Sequence, residues 1–166
     1  MNGIQMVGPG AVTIQQAKSL SIGNATVCGS GNPSAFNPGA FSLTTSSGDI
    51  SVGYINTVSG AINLWAADAI LDLTGSADNA SDAPNLATSG LATLRASKGI
   101  GATGAADLDV ALGSLLASNG SAGNVVIHQT GTNARTLTVL GISNGSSAAS
   151  TGGVSVDAQG QTGESS

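Results

Sequence analysis

The sequence predicts an all-β fold, a right-handed parallel β-helix (β-solenoid) with coils of about 20–23 residues and a few loop excursions. Three observations predict it: a composition rich in small residues, short alternating segments between turns, and apolar residues that recur at a near-constant spacing. Consecutive parallel strands of one sheet are nearly always joined by right-handed crossovers, which sets the expected handedness.

The composition favours a narrow core. Hydrophobic residues make up 40% of the 166-residue chain, but aromatic residues make up only 2% and charged residues only 8%. Disordered chains usually carry many charges and prolines, whereas this chain has four prolines and a positive mean hydropathy. A core without large rings suits short strands stacked in thin coils.

Short alternating segments follow turn residues along much of the chain. Residues 48–52 read Gly-Asp-Ile-Ser-Val and residues 60–64 read Gly-Ala-Ile-Asn-Leu. Alternation over three to five residues between Gly, Ser or Asn is typical of a strand with one buried face. We predict strands within residues 48–52, 60–64, 69–74, 91–96, 124–127, 136–139 and 153–156.

The spacing of apolar residues indicates a repeat. One residue per coil recurs at intervals of 21, 23, 21 and 22, in the series Ile50, Leu71, Leu94, Leu115 and Leu137. Such a period is typical of solenoids, whose strands stack in the same sense and therefore pair in parallel. The predicted core residues are Ile50, Ile62, Leu64, Leu71, Leu94, Leu115, Val125, Ile127, Leu137 and Val139.

The chain is predicted to be a single β-solenoid segment over residues 1–166. Residues 41–160 carry the repeat coils, residues 1–40 form an atypical N-terminal part and residues 161–166 form a polar tail. Residues 23–40 and 75–90 have the composition of loops that leave the coil. Residues 101–113 are a third excursion, in which the spacing of Leu108 and Leu112 suits one helical turn.

Charge and cysteine usage exclude several classes of function. The net charge is −5, and the four bases are too scattered for a nucleic-acid interface. Cys28 is the only cysteine, so neither an internal disulfide nor a Cys-based metal site is expected. Calcium-binding repeats of the Gly-Gly-x-Gly-x-Asp type are absent. We therefore expect no nucleic-acid partner, no cofactor and no metal.

Three positions form a candidate contact surface. Trp65 follows the inward Leu64, so alternation places it outside, where it suits sugar stacking or a lateral contact unless a neighbouring loop covers it. Val154 and Val156 belong to a strand near the C-terminal end without proline and with little charge, and such a strand edge can pair with another chain. Alternation also places His128 on the solvent face, after Ile127.

No catalytic residue is predicted, although one alternative stays open. An outward His128 without a neighbouring nucleophile does not make a catalytic site. Asp107 and Asp109 are paired acids, and β-helix enzymes that cleave polysaccharides use clustered carboxylates. Those enzymes also need a substrate cleft, for which this chain has almost no aromatic lining. A carbohydrate-active enzyme is thus an alternative that mutation of Asp107 or Asp109 would test.

A more specific pattern covers residues 90–160. A Leu-Arg-Ala-Ser-Lys-Gly-Ile-Gly turn at residues 94–101 precedes an apolar excursion, a Leu-Leu-Ala-Ser-Asn strand at 115–119, a Gly-Asn-Val-Val-Ile strand at 123–127 and a Leu-Thr-Val strand at 137–139. This order resembles the repeats of filamentous-haemagglutinin-like exoproteins of Gram-negative bacteria. The resemblance extends loosely over residues 42–160, and residues 1–40 depart from it.

The resemblance implies a secreted or surface-exposed adhesin whose β-helix forms a structural shaft and which is exported through an outer-membrane secretion partner. Host-surface or glycan receptors would then bind other parts of the parent protein. An alternative is a self-assembling extracellular fibre or sheath subunit that associates end to end or laterally, because uncapped solenoid ends can add strands.

Overall fold

The computed structural model describes residues 4–7, 11–28, 39–75, 83–130, 136–145 and 152–158. Every helix or strand assigned in these ranges is a β-strand, and every strand pair among them is parallel. None of these ranges contains a helix able to span a membrane. The predicted all-β, parallel character is confirmed.

Fourteen strands lie in the described ranges, and most are short. The first nine have three to five residues each, whereas β10 and β11 have 11 and 12. The bounds are β1 (Ile4–Val7), β2 (Val12–Gln16), β3 (Leu20–Ile22), β4 (Ala25–Cys28), β5 (Phe41–Thr45), β6 (Ile50–Val52), β7 (Ile55–Val58), β8 (Ile62–Trp65), β9 (Ile70–Asp72), β10 (Leu86–Ala96), β11 (Leu108–Asn119), β12 (Val125–Gln129), β13 (Thr138–Asn144) and β14 (Val154–Ala158).

The strands form three parallel ladders that the chain visits in a recurring order. Ladder 1 contains β1, β4, β7, the first parts of β10 and β11, then β12 and β14. Ladder 2 contains β2, β5, β8, the later parts of β10 and β11, then β13. Ladder 3 contains β3, β6 and β9, and single bridges extend it to Ile100 and Val125. Residues that are far apart in sequence, such as Ile50 and Ile70, therefore become neighbours.

Apolar side chains at matching register positions stack into buried columns. Each column passes from one strand to the next without a polar interruption, so the core runs along the stacking direction. Fully burying such a side chain contributes about 1.5–3 kcal/mol relative to leaving it exposed. Two fully buried columns are Phe41, Ile62, Ala92 and Leu115 in ladder 2, and Ile50, Ile70, Ile100 and Val125 in ladder 3.

Three predicted core residues are not buried. Leu71 is half-buried because Ile70, not Leu71, stands opposite Ile50 in ladder 3. Leu137 is also half-buried, and Val139 is 46% exposed because β13 pairs with no other described strand beyond β11. The other seven predicted core residues are buried: Ile50, Ile62, Leu64, Leu94, Leu115, Val125 and Ile127.

The predicted coil length holds for only part of the chain. The pairing of Ile50 with Ile70 spans one coil of the predicted length, but the pairing of Ile62 with Ala92 spans a distinctly longer stretch of sequence. Parallel pairing fixes the register of the strands and leaves the length of each connection free. The spacing of the predicted series of apolar residues looked regular only because the series changes ladder. It starts in ladder 3, at Ile50, and continues in ladder 2, at Leu94.

The helical turn predicted around Leu108 and Leu112 is wrong, because both residues belong to β11. Residues four apart share a face in a strand as well as in a helix, so this spacing did not separate the two. The predicted loops are also shorter than expected, since 25–28 lies in β4 and 86–90 in β10. Residues 29–38 and 76–82 of those loops, and the tail 161–166, lie outside the described residues.

Candidate functional site

Trp65 lies on the outer face of ladder 2 and is 56% exposed. Arg95 occupies the adjacent register position on β10, and its guanidinium carbon lies 5.4 Å from the centre of the Trp65 ring. This distance suits a cation–π contact, which contributes about 0.5–1 kcal/mol at exposed sites. The two side chains therefore form a small surface platform.

Val154 and Val156 lie on β14, opposite residues of β12 that are buried. Val154 pairs with Val125 and Val156 pairs with Ile127. Val125 and Ile127 are buried, whereas Val154 is 50% exposed and Val156 is half-buried. We call β13 and β14 the end strands, because each is the last described strand of its ladder. The end strands expose apolar positions that the interior strands bury.

Three titratable side chains meet inside the protein, at ladder 1. Asp107, Asp109 and His128 are 7%, 1% and 3% exposed. His128 Nδ1 lies 3.0 Å from Asp109 Oδ1 and 3.9 Å from Asp107 Oδ2. One ligand atom from each residue lies within 4.8 Å of the other two. We call these three residues the Asp–His cluster.

Strand register brings Asp109 and His128 together. They are direct neighbours on β11 and β12, flanked by the pair Leu108–Ile127. Because side chains alternate along a strand, the apolar pair points to one face and the Asp–His pair points to the other. The next register position beyond His128 belongs to Asp157, on β14.

A tight turn places Asp107 beside this pair. Asp107 immediately precedes β11, and its backbone N–H donates to the Gly104 carbonyl at 3.0 Å. Gly101 opens the turn with φ +65°, and a Cβ there would lie 2.2 Å from the Val126 carbonyl oxygen. Only glycine combines this backbone conformation with so close an approach to the neighbouring strand.

The prediction that His128 faces solvent is wrong. The alternation itself is correct, since Ile127 and His128 point to opposite faces, but both faces of ladder 1 are buried here. All residues from Leu108 to Leu112 are buried, which is typical of a strand covered on both sides. The sequence did indicate the cluster, because the spacing between Asp109 and His128 is close to the predicted coil length.

Asn85 joins the Asp–His cluster to ladder 3. It is fully buried, and its backbone N–H donates to the Asp109 carbonyl at 2.8 Å while its Oδ1 accepts from the Asp109 N–H at 2.9 Å. Its amide nitrogen donates to the Val52 carbonyl at 3.0 Å and to Asp72 Oδ1 at 2.7 Å. The backbone N–H and C=O of Asp109 are therefore both held by Asn85, which fixes the position of this residue on β11.

The imidazole of His128 is bonded on one side only. Nδ1 contacts Asp109, whereas Nε2 is buried without a hydrogen-bond partner among the described residues. A buried polar atom without a partner costs about 1–3 kcal/mol, and such atoms often mark a bound water or ion. Imidazole and carboxylate groups together can share a proton or ligate a divalent cation.

Comparison with protein-family models, with curated proteins and with solved structures found no match. Two features of the chain itself bear on function. The first is the set of stacked ladders that ends in exposed apolar strands. The second is the buried Asp–His cluster.

Proposed function

We propose that this chain is a segment of a right-handed parallel β-helix that forms the non-catalytic shaft of a large secreted bacterial exoprotein of the filamentous-haemagglutinin-like kind. The observation that carries the proposal is the set of buried columns, in which equivalent positions such as Ile50, Ile70 and Ile100 stack on successive turns of the chain. Repeated stacking of this kind is the packing principle of solenoid proteins.

A shaft of this construction is stabilised mainly by the contacts between its stacked strands. Strand backbones bond to the strands above and below, so stability comes from each neighbouring contact and accumulates along the stack. Six strands of ladder 2 lie in the described ranges, and with neighbours about 4.8 Å apart they extend roughly 24 Å along the shaft. Binding sites elsewhere on the parent protein would be carried at a distance from the cell.

The burial of the paired acids supports a non-catalytic role. Asp107 and Asp109 are 7% and 1% exposed, and Asp109 bonds to a buried His128. A glycosidase places its two carboxyl groups on either side of a sugar bond, which requires them to line an open cleft. The alternative of a carbohydrate-active enzyme therefore has little support from this geometry.

One observation favours a fibre or sheath subunit as the second candidate. Val139, Leu140 and Val154, on the end strands, are 46%, 59% and 50% exposed. An exposed apolar strand at the edge of a sheet can pair with another chain, and a contact between unlike ends propagates into a filament. Head-to-tail stacking of two copies would bury these residues, just as the equivalent residues of the interior strands are buried.

Surface labelling of the source bacterium tests the shaft proposal. An antibody raised against the purified chain should label intact cells or the culture medium, and external protease should remove the signal from cells. Labelling that requires permeabilised cells would overturn a secreted shaft. Sedimentation and negative-stain microscopy over a range of concentrations separate the two candidates, because a shaft segment stays a discrete particle and a fibre subunit grows with concentration.

A further inference from the structure

We propose that Asp107, Asp109 and His128 form a binding site for a divalent transition-metal cation of the zinc type. The site lies between the turn at residues 101–107 and the adjacent strands β11 and β12. It would make the Asp–His cluster a clamp that joins consecutive turns of the chain. This role is independent of whether the chain serves as a shaft or a fibre.

The spacing of the ligand atoms fits one small cation. With bonds of about 2.0–2.2 Å, the ligands of a tetrahedral zinc ion lie roughly 3.3–3.6 Å apart. The separations of His128 Nδ1 from Asp109 Oδ1 and Asp107 Oδ2 are 3.0 and 3.9 Å, which bracket that value. All three ligand atoms already lie within 4.8 Å of one another. Side-chain shifts on the order of 1 Å would bring all three ligand atoms to that spacing.

The donor set selects the class of cation. Imidazole nitrogen suits zinc and its transition-metal neighbours, whereas calcium and magnesium take oxygen ligands almost exclusively. Carboxylate oxygens are common zinc ligands beside imidazole, and their negative charge favours a divalent cation. Three protein ligands leave room for a fourth, which in zinc proteins is often water.

His128 Nδ1 is the ring atom placed to ligate a cation. A ring that binds a cation through Nδ1 is neutral and carries its proton on Nε2, and the buried Nε2 then requires an acceptor such as an ordered water. The ring is 3% exposed, and its Nδ1 points at both carboxylates. The strand register and the Asn85 bonds hold the backbone of Asp109 in position, and its side chain is already buried, so little side-chain entropy is lost on binding.

Zinc titration of the unmodified protein is the first test. After treatment with EDTA and removal of the chelator, calorimetry should show one tight zinc ion per chain, and cobalt should bind competitively with the visible absorption of a tetrahedral site. Because His128 is the only histidine, its ring nitrogen signals in NMR report the site without ambiguity and should shift on zinc addition. Free zinc at about 100 times Kd should raise the melting temperature by roughly 5–10 °C.

Matched variants locate the ion. Asp109→Asn and His128→Ala should weaken zinc binding by more than the roughly 10–100-fold that changes outside the ligand shell cause. Asp68→Asn is the control, since Asp68 pairs with Lys98 at the surface at 3.0 Å, and it should bind zinc as the unmodified chain does. No zinc uptake, zinc uptake without a shift of the His128 signals, or equal binding in Asp109→Asn would each overturn the proposal. If Asp109→Asn does not fold, the zinc titration and the His128 NMR signals of the unmodified protein decide the outcome.

Discussion

Asp109 and His128 lie side by side on adjacent parallel strands, with a carboxylate oxygen 3.0 Å from the ring nitrogen and both side chains almost fully buried. In the low dielectric of the interior, a hydrogen bond between two such groups is stronger than it would be in water. Loss of one partner leaves the other buried in a site built for a pair. The pair should therefore matter to stability far more than a surface contact would.

His128→Ala should lower the free energy of unfolding by about 3–5 kcal/mol, the usual cost of removing one partner of a buried ionisable pair. Ile127→Ala, at the neighbouring core position, should cost about 2–5 kcal/mol as a large-to-small truncation. Urea unfolding of the metal-free proteins followed by circular dichroism measures both. A loss below about 0.5 kcal/mol for His128→Ala would mean that this ring is at the surface.

Asn85→Asp should be strongly destabilising although it hardly changes the shape of the side chain. The amide nitrogen of Asn85 donates to the Val52 carbonyl and to Asp72 Oδ1, and a carboxylate there would place oxygen against oxygen in a fully buried site. We expect a loss of about 3 kcal/mol or more in the free energy of unfolding, measured by urea titration at neutral pH.

Asn63→Asp is the matched control for that change. Asn63 is half-buried on the outer face of β8 and donates to the Ser42 hydroxyl at 3.2 Å. A hydroxyl can turn to donate to the new carboxylate, so the expected change is within about 0.5 kcal/mol. Equal losses at the two positions would show that Asn85 is not the buried link between ladders 1 and 3.

Gly101→Ala and Gly104→Ala separate backbone strain from close packing. Both glycines have positive φ, +65° and +73°, so an alanine at either costs about 1–2 kcal/mol. At Gly104 a Cβ meets nothing within 4 Å, but at Gly101 it would lie 2.2 Å from the Val126 carbonyl oxygen. Gly101→Ala should therefore cost about 1–3 kcal/mol more than Gly104→Ala in thermal unfolding. Similar costs would contradict the close approach of the turn to β12.

The repeat pattern predicted local structure better than it predicted register. Short alternating segments such as 60–64 located strands correctly, because alternation depends only on which face of a strand is buried. The sequence did not predict the pairing of Ile62 with Ala92, whose separation exceeds the predicted coil length. The connections between ladders differ in length and therefore produce no regular spacing in the sequence. Ile70 and Leu71 show the consequence, since an error of one position reverses the buried face.

The Asp–His cluster was missed for a related reason. Alternation correctly separated Ile127 from His128, but it carries no information about what lies on the second face of a strand. Burial of that face depends on residues outside the strand itself, such as Asp107 in the turn before β11. A comparison of polar residues one coil apart would have paired Asp109 with His128, and that test applies to any sequence with a solenoid-like period.

Val154→Lys should suppress concentration-dependent association if the end strands are the contact surface. Val154 is 50% exposed and continues the column that contains the buried Val125, so a second copy that stacked on β14 would bury it. A lysine there would place a charge in that interface, as charged residues on natural sheet edges do. Val156→Lys, at the half-buried neighbouring position, should act in the same direction.

Leu73→Lys is the matched control for the end strands, because Leu73 is similarly exposed, at 46%, but follows β9 and belongs to neither β13 nor β14. It should leave association unchanged, and far-ultraviolet circular dichroism should be nearly the same for all these variants. Sedimentation velocity over a range of concentrations provides the measurement.

If the unmodified chain remains monomeric at high concentration, end-to-end stacking does not occur and the fibre candidate fails. The shaft proposal requires no association and is unaffected by that result. If Leu73→Lys suppresses association as strongly as Val154→Lys, the chains meet through their sides and the end strands are not the contact surface.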